Sequence, residues 1–129
     1  MAQKIKIGIA QGDSNGIGYE VIIKALSDSR ITDLCTPIVY GCSRTFNLYK
    51  KGIREIEQIN TNIINSAQDA HSKRINIINC VPDSIAVEIG QPTKEGAKCA
   101  LISLEAAVKD LKEGKIDALV TAPLNKHTI

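Results

Sequence analysis

The stretch from Gly8 to Leu26 limits what this chain can fold into more than any other part of it. It reads GIAQGDSNGIGYEVIIKAL and starts inside an apolar run, Ile5 to Ala10, that is typical of a β-strand. Three glycines follow, and a helical pattern begins near Tyr19. The first backbone N–H groups of a helix have no partner within it, and the helix dipole favours negative charge there. The stretch therefore predicts a strand-to-helix corner of an α/β fold that readily faces an anion.

The glycine turn, Gly12 to Gly18, lacks the two common phosphate-binding motifs. Its glycines stand at positions 12, 16 and 18, which is not the Gly-x-Gly-x-x-Gly spacing, and no Lys-Ser or Lys-Thr pair follows as in a Walker A loop. Asp13 is a carboxylate that suits either a ligand hydroxyl or the local backbone. Glu20 lies in the first helical turn, where the dipole stabilises an acidic side chain. A ligand-binding turn and a purely structural one both remain open.

The composition fits one globular domain and argues against several kinds of partner. The chain has 129 residues, of which 43% are hydrophobic and 23% charged, and its net charge is +2. Such a length can bury a real core, and so small a charge gives no reason to expect nucleic acid or a membrane as partner. Lys4 and Lys6 interrupt the first apolar run, and no apolar run reaches the ~20 residues of a membrane span. We expect a cytoplasmic protein.

The cysteines indicate a reducing environment rather than a metal site. No two of them form a Cys-x-x-Cys pair: Cys35, Cys42, Cys80 and Cys99. We therefore expect free thiols, buried or half-buried. The chain also has only two histidines, so we predict no metal ligand within it.

Strand and helix signals alternate along the chain. Strands are predicted at Ile5–Ala10, Ile38–Tyr40, Glu57–Asn60, Arg74–Val81 and Ile116–Thr121, with a possible short strand at Ala86–Ile89. Helices are predicted at Tyr19–Ser27, Arg44–Lys51 and from Thr93 to Gly114. A polar loop with a frayed helical end is predicted over 28–36, and a polar loop over 66–73. This alternation predicts one mostly parallel sheet with helices on its faces and no domain boundary within 1–129.

Two features of the predicted helices bear on how they pack. Ser43 and Thr93 are candidate N-caps, and Gly52 and Gly114 are candidate helix ends. In the last helix, residues at helical spacing predict one buried apolar stripe: Ala97, Leu101, Leu104, Val108 and Leu111.

The segment from Ala118 to Lys126, ALVTAPLNK, is the second place that could carry chemistry. An apolar strand leads into Thr121, Asn125 and Lys126. Ligands of open α/β sheets bind at the carboxyl ends of strands, and the glycine turn also follows such an end. Lys126 offers a point charge for a phosphate or carboxylate, and Asn125 a neutral donor and acceptor. The spacing fits a ligand site and a solvated lysine equally well.

Three segments together resemble the 4-hydroxythreonine-4-phosphate dehydrogenase family of pyridoxal phosphate biosynthesis. They are IGIAQGDSNGIGYEVIIKAL, PIVYG and GQPTKEGAKCALISLEAAVKDLKEGKIDALVTAPLNK. The first is similar to the family's Gly-Asp-Pro-Ala-Gly-Ile-Gly-Pro-Glu signature, and the last ends in its Thr-Ala-Pro-x-Asn-Lys pattern. Ser14 and Asn15 replace Pro-Ala, and Tyr19 replaces a proline, which predicts a somewhat looser turn.

The resemblance implies a three-layer α/β/α fold like that of isocitrate and isopropylmalate dehydrogenases, with this chain as the first part of a two-domain protein. It implies the oxidation and decarboxylation of 4-phosphooxy-L-threonine, a small phosphorylated amino acid, to 3-amino-2-oxopropyl phosphate. NAD or NADP and a divalent metal (Zn, Mg or Co) with ligands outside this chain would serve as cofactors. It further implies a homodimer, and this chain alone is expected to be inactive.

The resemblance also implies roles for particular residues. Lys126 is the candidate catalytic residue, and Thr121 and Asn125 are candidates for substrate binding. Cofactor binding is expected from the turn: Gly12, Asp13, Gly16, Ile17, Gly18 and Glu20. Two alternatives remain open. One is a related dehydrogenase that acts on another phosphorylated or diol substrate, and the other is a non-catalytic phosphate-binding module.

Overall fold

The chain folds into alternating strands and helices in the computed structural model, which describes residues 4–53, 59–82, 87 and 93–122. Their elements are, in order, β1 (Ile5–Ala10), α1 (Gly18–Leu26), α2 (Ser29–Leu34), β2 (Cys35–Gly41), α3 (Ser43–Lys51), β3 (Thr61–Ile64), a 3-10 turn (Ala67–Asp69), β4 (Ile75–Asn79), α4 (Lys94–Lys112) and β5 (Ala118–Thr121). None of these helices is long and apolar enough to cross a membrane. The short strand predicted at Ala86–Ile89 lies outside the described residues, apart from Val87, which is in no strand.

These strands form one parallel sheet in the order β3-β4-β2-β1-β5. β1 lies between β2 and β5, so that Ala10 stands opposite Tyr40 on one side and opposite Thr121 on the other. Parallel strands all point the same way, and their carboxyl ends therefore meet at one edge of the sheet. That edge is where the glycine turn begins.

Helices cover both faces of the sheet, which confirms the predicted three-layer α/β/α architecture. Successive strand residues point to opposite faces. Val39 packs in one apolar cluster with Ile23 of α1 and Phe46 of α3. Its neighbour Ile38 packs in a second cluster with Ala107 of α4. The short helices therefore lie on one face and α4 lies on the other.

The buried face of α4 is made of small residues rather than of the predicted leucine-rich stripe. Its buried residues are Gly96, Ala97, Cys99, Ala100, Ser103 and Ala107. Ala97 alone of the predicted stripe is among them, and Leu101 and Leu111 are 41% and 38% exposed. Small side chains let the helix lie close to the sheet. There, Ser103 Oγ accepts a hydrogen bond from the Gln11 N–H at 2.9 Å and donates one to a carbonyl of β2. Because α4 lies so close to the sheet, its larger apolar side chains lie outside the buried face.

Two predictions between β1 and β4 are wrong. Helix α2 stands where a polar loop is predicted, because Asp28 Oδ1 accepts from the Arg30 N–H at 3.0 Å and caps it. The strand predicted at Glu57–Asn60 is shifted to Thr61–Ile64, where Thr61 pairs with Ile75 of β4. Positions 59 and 60 belong to no strand, and 57 and 58 lie outside the described residues. Local β-propensity is similar along this stretch, so pairing with β4 decides the position of the strand.

The predicted ends of α4 are confirmed, and the predicted start of α3 is not. Thr93 Oγ1 accepts from the Gly96 N–H at 3.0 Å, as an N-cap does. Gly114 follows the helix with a φ of 74°, which favours glycine. Ser43, however, is the first residue of α3, and its own N–H donates to Asn79 Oδ1 of β4 at 2.6 Å. The acceptor for this helix end comes from a neighbouring strand.

Candidate functional site

The glycine turn and the described part of the second stretch, residues 118–122, lie side by side at the carboxyl edge of the sheet. The glycine turn leaves β1 directly after Ala10, whose carbonyl accepts from the Ala122 N–H at 3.0 Å. Ala122 also packs against the turn, since a methyl group on Gly18 would come within 3.2 Å of Ala122 Cβ. β2 and β5 flank β1, and α1 and α4 cover opposite faces. An open α/β sheet forms a ligand crevice at such a point.

Asp13 closes the turn. Gly12 has a φ of 75°, a left-handed conformation that glycine adopts without strain. Asp13 Oδ1 then accepts from the Asn15 N–H at 2.8 Å, and the Asp13 carbonyl accepts from the Gly16 N–H at 3.1 Å. The Asp13 side chain is only 4% exposed, and its Oδ2 has no hydrogen-bond partner within the described ranges. Asp13 thus caps local backbone and retains one unsatisfied acceptor.

The N-terminus of α1 has no side-chain cap among the residues that the structure describes. Ile17 occupies the N-cap position, is 61% exposed and offers no side-chain acceptor. Glu20, in the first turn, forms an ion pair with Lys24 at 2.9 Å one turn later. No described side chain therefore caps the end of α1 that the sequence predicts to face an anion.

The N-terminus of α4, by contrast, is closed by residues of the turn. Thr93 Oγ1 accepts from the Gly96 N–H at 3.0 Å and from Asn15 Nδ2 at 2.7 Å. The Asp13 carboxylate lies over the same helical turn, because a methyl group on Gly96 would clash with Asp13 Oδ1. A carboxylate is favourable at a helix N-terminus. The chain itself therefore supplies the negative charge that this helix end attracts.

Three residues to which the sequence analysis gave no site role bind the turn to the rest of the domain: Gln11, Tyr19 and Tyr49. Tyr19 is 0% exposed, its hydroxyl donates to Gln11 Oε1, and that hydroxyl accepts from the Cys42 N–H at 2.9 Å. Gln11 Nε2 donates to Ser14 Oγ at 2.5 Å. Burial raises the pKa of Tyr19 far above its usual value. The loss of two prolines predicts a looser turn, but the residues present make hydrogen bonds that proline cannot make.

Three cysteines meet beside this network as packing residues. Cys42 and Cys99 are buried in a small cluster with Val81, and Cys80 packs against it. Burial raises the pKa of Cys80 to about 11 and also raises the pKa of Cys99, which keeps both thiols protonated. All four cysteines are free, as predicted. In the part of the chain that the structure describes, no three His, Cys, Asp or Glu side chains are grouped to hold a metal ion.

The predicted cofactor residues divide into two groups by accessibility. Three are buried: Gly12, Asp13 and Gly18. Three reach the surface at least partly: Gly16, Ile17 and Glu20. Thr121, predicted to contact substrate, is exposed at the end of β5. Asn125 and Lys126 lie outside the described residues, so their roles stay predictions.

Comparison with known proteins gives the same family from sequence. Residues 33–129 match the family described as pyridoxal phosphate biosynthetic protein PdxA. The chain is 47% identical over 126 residues to a 4-hydroxythreonine-4-phosphate dehydrogenase of Bacteroides thetaiotaomicron, covering 98% of this chain and 34% of that protein. It is 28% identical over 130 residues to a Clostridium botulinum protein provisionally named D-threonate 4-phosphate dehydrogenase, covering 95% and 37%. The chain thus spans about a third of the length of these relatives.

A solved structure shows the same relationship in the fold. The crystal structure of a 4-hydroxythreonine-4-phosphate dehydrogenase from Burkholderia phymatum superimposes with a TM-score of 0.86 at 29% identity. The match covers 98% of this chain and 38% of that structure. The glycine turn, the parallel sheet and the family match agree, and the chain belongs to the PdxA family of pyridoxal phosphate biosynthetic proteins.

Proposed function

We propose that this chain forms the first part of an NAD(P)-dependent dehydrogenase of pyridoxal 5'-phosphate biosynthesis. Its substrate is 4-phosphooxy-L-threonine, which is oxidised and decarboxylated to 3-amino-2-oxopropyl phosphate. The observation that carries this proposal is the uncapped N-terminus of α1, which lies beside the end of β5 at the carboxyl edge of the sheet, where open α/β sheets bind ligands. The relative with 47% identity, named for that reaction, supports the choice of substrate.

The glycine turn forms the cofactor side of the crevice. The backbone N–H groups in the first turn of α1, which have no partner within the helix, suit the pyrophosphate of a dinucleotide. Gly16 and Ile17 lie at the surface of this helix end, where a ligand can reach the backbone. Glu20, which is partly exposed in the first turn of α1, is a carboxylate that suits a ribose hydroxyl, whereas Asp13 is buried. These features fit a nicotinamide dinucleotide.

The segment after β5 forms the substrate side. Thr121 has an exposed position at the end of the strand, directly beside the turn. Asn125 and Lys126 follow a few residues later, so they would reach the same crevice. The Lys126 ammonium would neutralise the substrate phosphate or carboxylate and stabilise negative charge that develops during the reaction. Asn125 would orient the substrate through a neutral hydrogen bond.

The divalent metal and the second subunit belong to the complete enzyme in this proposal. A bound metal would polarise the reacting oxygens as a Lewis acid. Within the described ranges no three potential ligands are grouped, so we assign the metal ligands to other parts of the enzyme. The relatives are about three times as long as this chain, which allows a second domain and a dimer interface beyond it. We therefore expect the 129-residue chain alone to be inactive.

A second candidate substrate is D-threonate 4-phosphate. The Clostridium botulinum relative, 28% identical over 130 residues, is provisionally named for it. The two substrates carry the same phosphate and differ at C2, where one has an amine and the other a hydroxyl. The turn and β5 contain nothing among their described residues that selects between these groups, so the choice is made by assay.

Steady-state reduction of NAD and NADP by the complete enzyme tests the function directly. With 4-phosphooxy-L-threonine we expect a kcat/KM at least about tenfold above that with D-threonate 4-phosphate, since a mismatched polar group in a built site costs that much or more. A chelator should abolish turnover. The reverse substrate order would favour the second candidate. Binding of the phosphorylated substrate by the complete protein without any reduction of cofactor would instead identify a phosphate-binding module and refute the dehydrogenase.

A further inference from the structure

The buried hydroxyl of Tyr19 is the centre of a network that the proposed reaction does not use. It donates to Gln11 Oε1 and accepts from the Cys42 N–H at 2.9 Å. Gln11 Nε2 in turn donates to the Gly12 carbonyl at 3.2 Å and to Ser14 Oγ at 2.5 Å. Through one side chain, Tyr19 thus connects the end of β2 with the first half of the turn.

The ring of Tyr19 packs against two other aromatic rings. It stacks on Tyr49 with centroids 5.6 Å apart at 11°, and it meets Phe46 edge-on at 6.2 Å. The Tyr49 hydroxyl donates to the Ser14 carbonyl, so α3 contacts the same turn residue. In β2, Gly41 leaves the space that the Tyr19 hydroxyl occupies, since a methyl group there would clash with it.

The network also determines where the capping side chains of the turn go. Ser and Asn are residue types that cap helices, and Ser14 and Asn15 stand just before α1. Ser14 Oγ is instead bound by Gln11, and the Asn15 amide by Thr93 at the start of α4. Ile17 is left at the N-cap position of α1. The turn therefore directs its capping groups away from α1.

We propose that Tyr19 is a positioning residue for the cofactor, which acts through Gln11 to hold the turn so that the N-terminus of α1 stays open to an anionic ligand. Without the hydroxyl, Gln11 Oε1 loses its partner, and the hold of Gln11 on Ser14 and on the turn weakens. The cofactor role rests on the proposed function, whereas the hold on the turn does not.

The first experiment compares two tyrosine-to-phenylalanine variants by amide hydrogen exchange on this chain. Tyr19→Phe keeps the ring and removes the hydroxyl. Tyr40→Phe is the matched control, because the Tyr40 hydroxyl donates to Asp110 Oδ2 at 2.5 Å, away from the turn. We expect exchange at Asn15 and Gly16 to accelerate about tenfold in Tyr19→Phe relative to strand amides, and to stay within about twofold in Tyr40→Phe. Equal acceleration of exchange in both variants, or none in Tyr19→Phe, would refute the proposal that Tyr19 holds the turn in place.

The second experiment measures kinetics of the complete enzyme. Tyr19→Phe should raise the KM for NAD(P) about tenfold, with kcat and the substrate KM within about twofold, as loss of ground-state cofactor binding does. Ser14→Ala, which removes the group that Gln11 holds and leaves the core intact, should shift the same KM in the same direction. A loosened turn with an unchanged cofactor KM would overturn the positioning role. If the wild-type enzyme reduced no NAD(P), the proposed function would fail, and the exchange result would still report on the turn.

Discussion

The two helices that meet at the carboxyl edge of the sheet begin in opposite ways. α4 starts at Thr93, which caps it, and Asp13 and Asn15 of the turn close over the same helix end. α1 starts at Ile17, which is 61% exposed and provides no cap. One turn adjoins both helix ends and places Asp13 and Asn15 against α4. The comparison shows that a glycine turn can cover the start of one helix while it leaves the start of its neighbour without a side-chain cap.

A substitution that fills the space between the turn and α4 should have the largest effect on the unfolding free energy. In Gly96→Ala the new methyl group clashes with Asp13 Oδ1, which the Asn15 N–H holds in place. Alanine is the better helix former by about 1 kcal/mol, but overpacking of this buried contact costs more, and we expect a net loss of about 2 kcal/mol in unfolding free energy. Chemical denaturation measures it. Gly16→Ala is the control, because the nearest atoms to its methyl group lie at 3.6 Å and 3.7 Å. Equal stability of Gly96→Ala and wild type would show that Asp13 does not pack on α4.

Removal of the cap on α4 comes next. Thr93→Ala deletes the acceptor of both the Gly96 N–H and Asn15 Nδ2 and should lower the unfolding free energy by about 1 kcal/mol. Thr93→Ser retains the hydroxyl and should recover most of that loss. Thermal or chemical denaturation measures the unfolding free energy of both variants. An equal loss in Thr93→Ala and Thr93→Ser would assign the effect to the missing methyl group rather than to the cap.

A side-chain cap added to α1 should stabilise the helix and weaken cofactor binding at its N-terminus. Ile17→Asp supplies a capping carboxylate at an exposed N-cap and should raise the unfolding free energy by about 0.5 kcal/mol. In the complete enzyme the same change should weaken NAD(P) binding, because the carboxylate competes with the cofactor phosphates. Ile17→Asn separates the two effects, since it caps without charge and should weaken binding less. Unchanged NAD(P) affinity in Ile17→Asp, measured by titration calorimetry, would remove α1 from the cofactor site.

The smallest effect is expected at α2, which is capped by a partly exposed carboxylate. Hydrogen bonds from the Arg30 side chain and backbone N–H lower the pKa of Asp28 from 3.8 to about 2. Because the pKa is lower in the folded state, this contribution to stability is complete above pH 3.8 and is lost as the pH falls toward 2. The pKa is measured by NMR titration of the Asp28 carboxyl group, and Asp28→Asn should show a flatter pH dependence of stability in this window. An Asp28 pKa near 3.8 would contradict the cap.

Much of the candidate site was predictable because it depends on neighbours in sequence. Local spacing predicts the strand before the turn, the glycines, the Thr93 cap and the position of Thr121 at the end of a strand. The parallel register then brings Ala10 beside Thr121, as βαβ order implies. Asp13 was recognisable as either a backbone cap or a ligand group. Only its contacts show that Oδ1 binds backbone while Oδ2 has no partner among the described residues.

The parts that could not be predicted depend on contacts between distant residues. Helical periodicity marks Leu101 and Leu111 as apolar, but it does not say which flank of α4 approaches the sheet. The sheet accepts the small residues, because Ser103 bonds to Gln11, 92 positions earlier. In the same way, propensity did not place β3, whose position follows from pairing with β4.

The sequence by itself determined the strand–turn–helix corner, the alternation that makes an α/β fold, and the motifs that indicate the family, since each is written in residues that are close together. Tertiary structure alone decided which helix the turn closes. That choice follows from Tyr19, which packs between Tyr49 and Phe46 and binds Gln11, and from Thr93, which draws Asn15 across 78 positions. Hydrogen bonds between buried side chains need both partners in place, and only the folded chain brings them together.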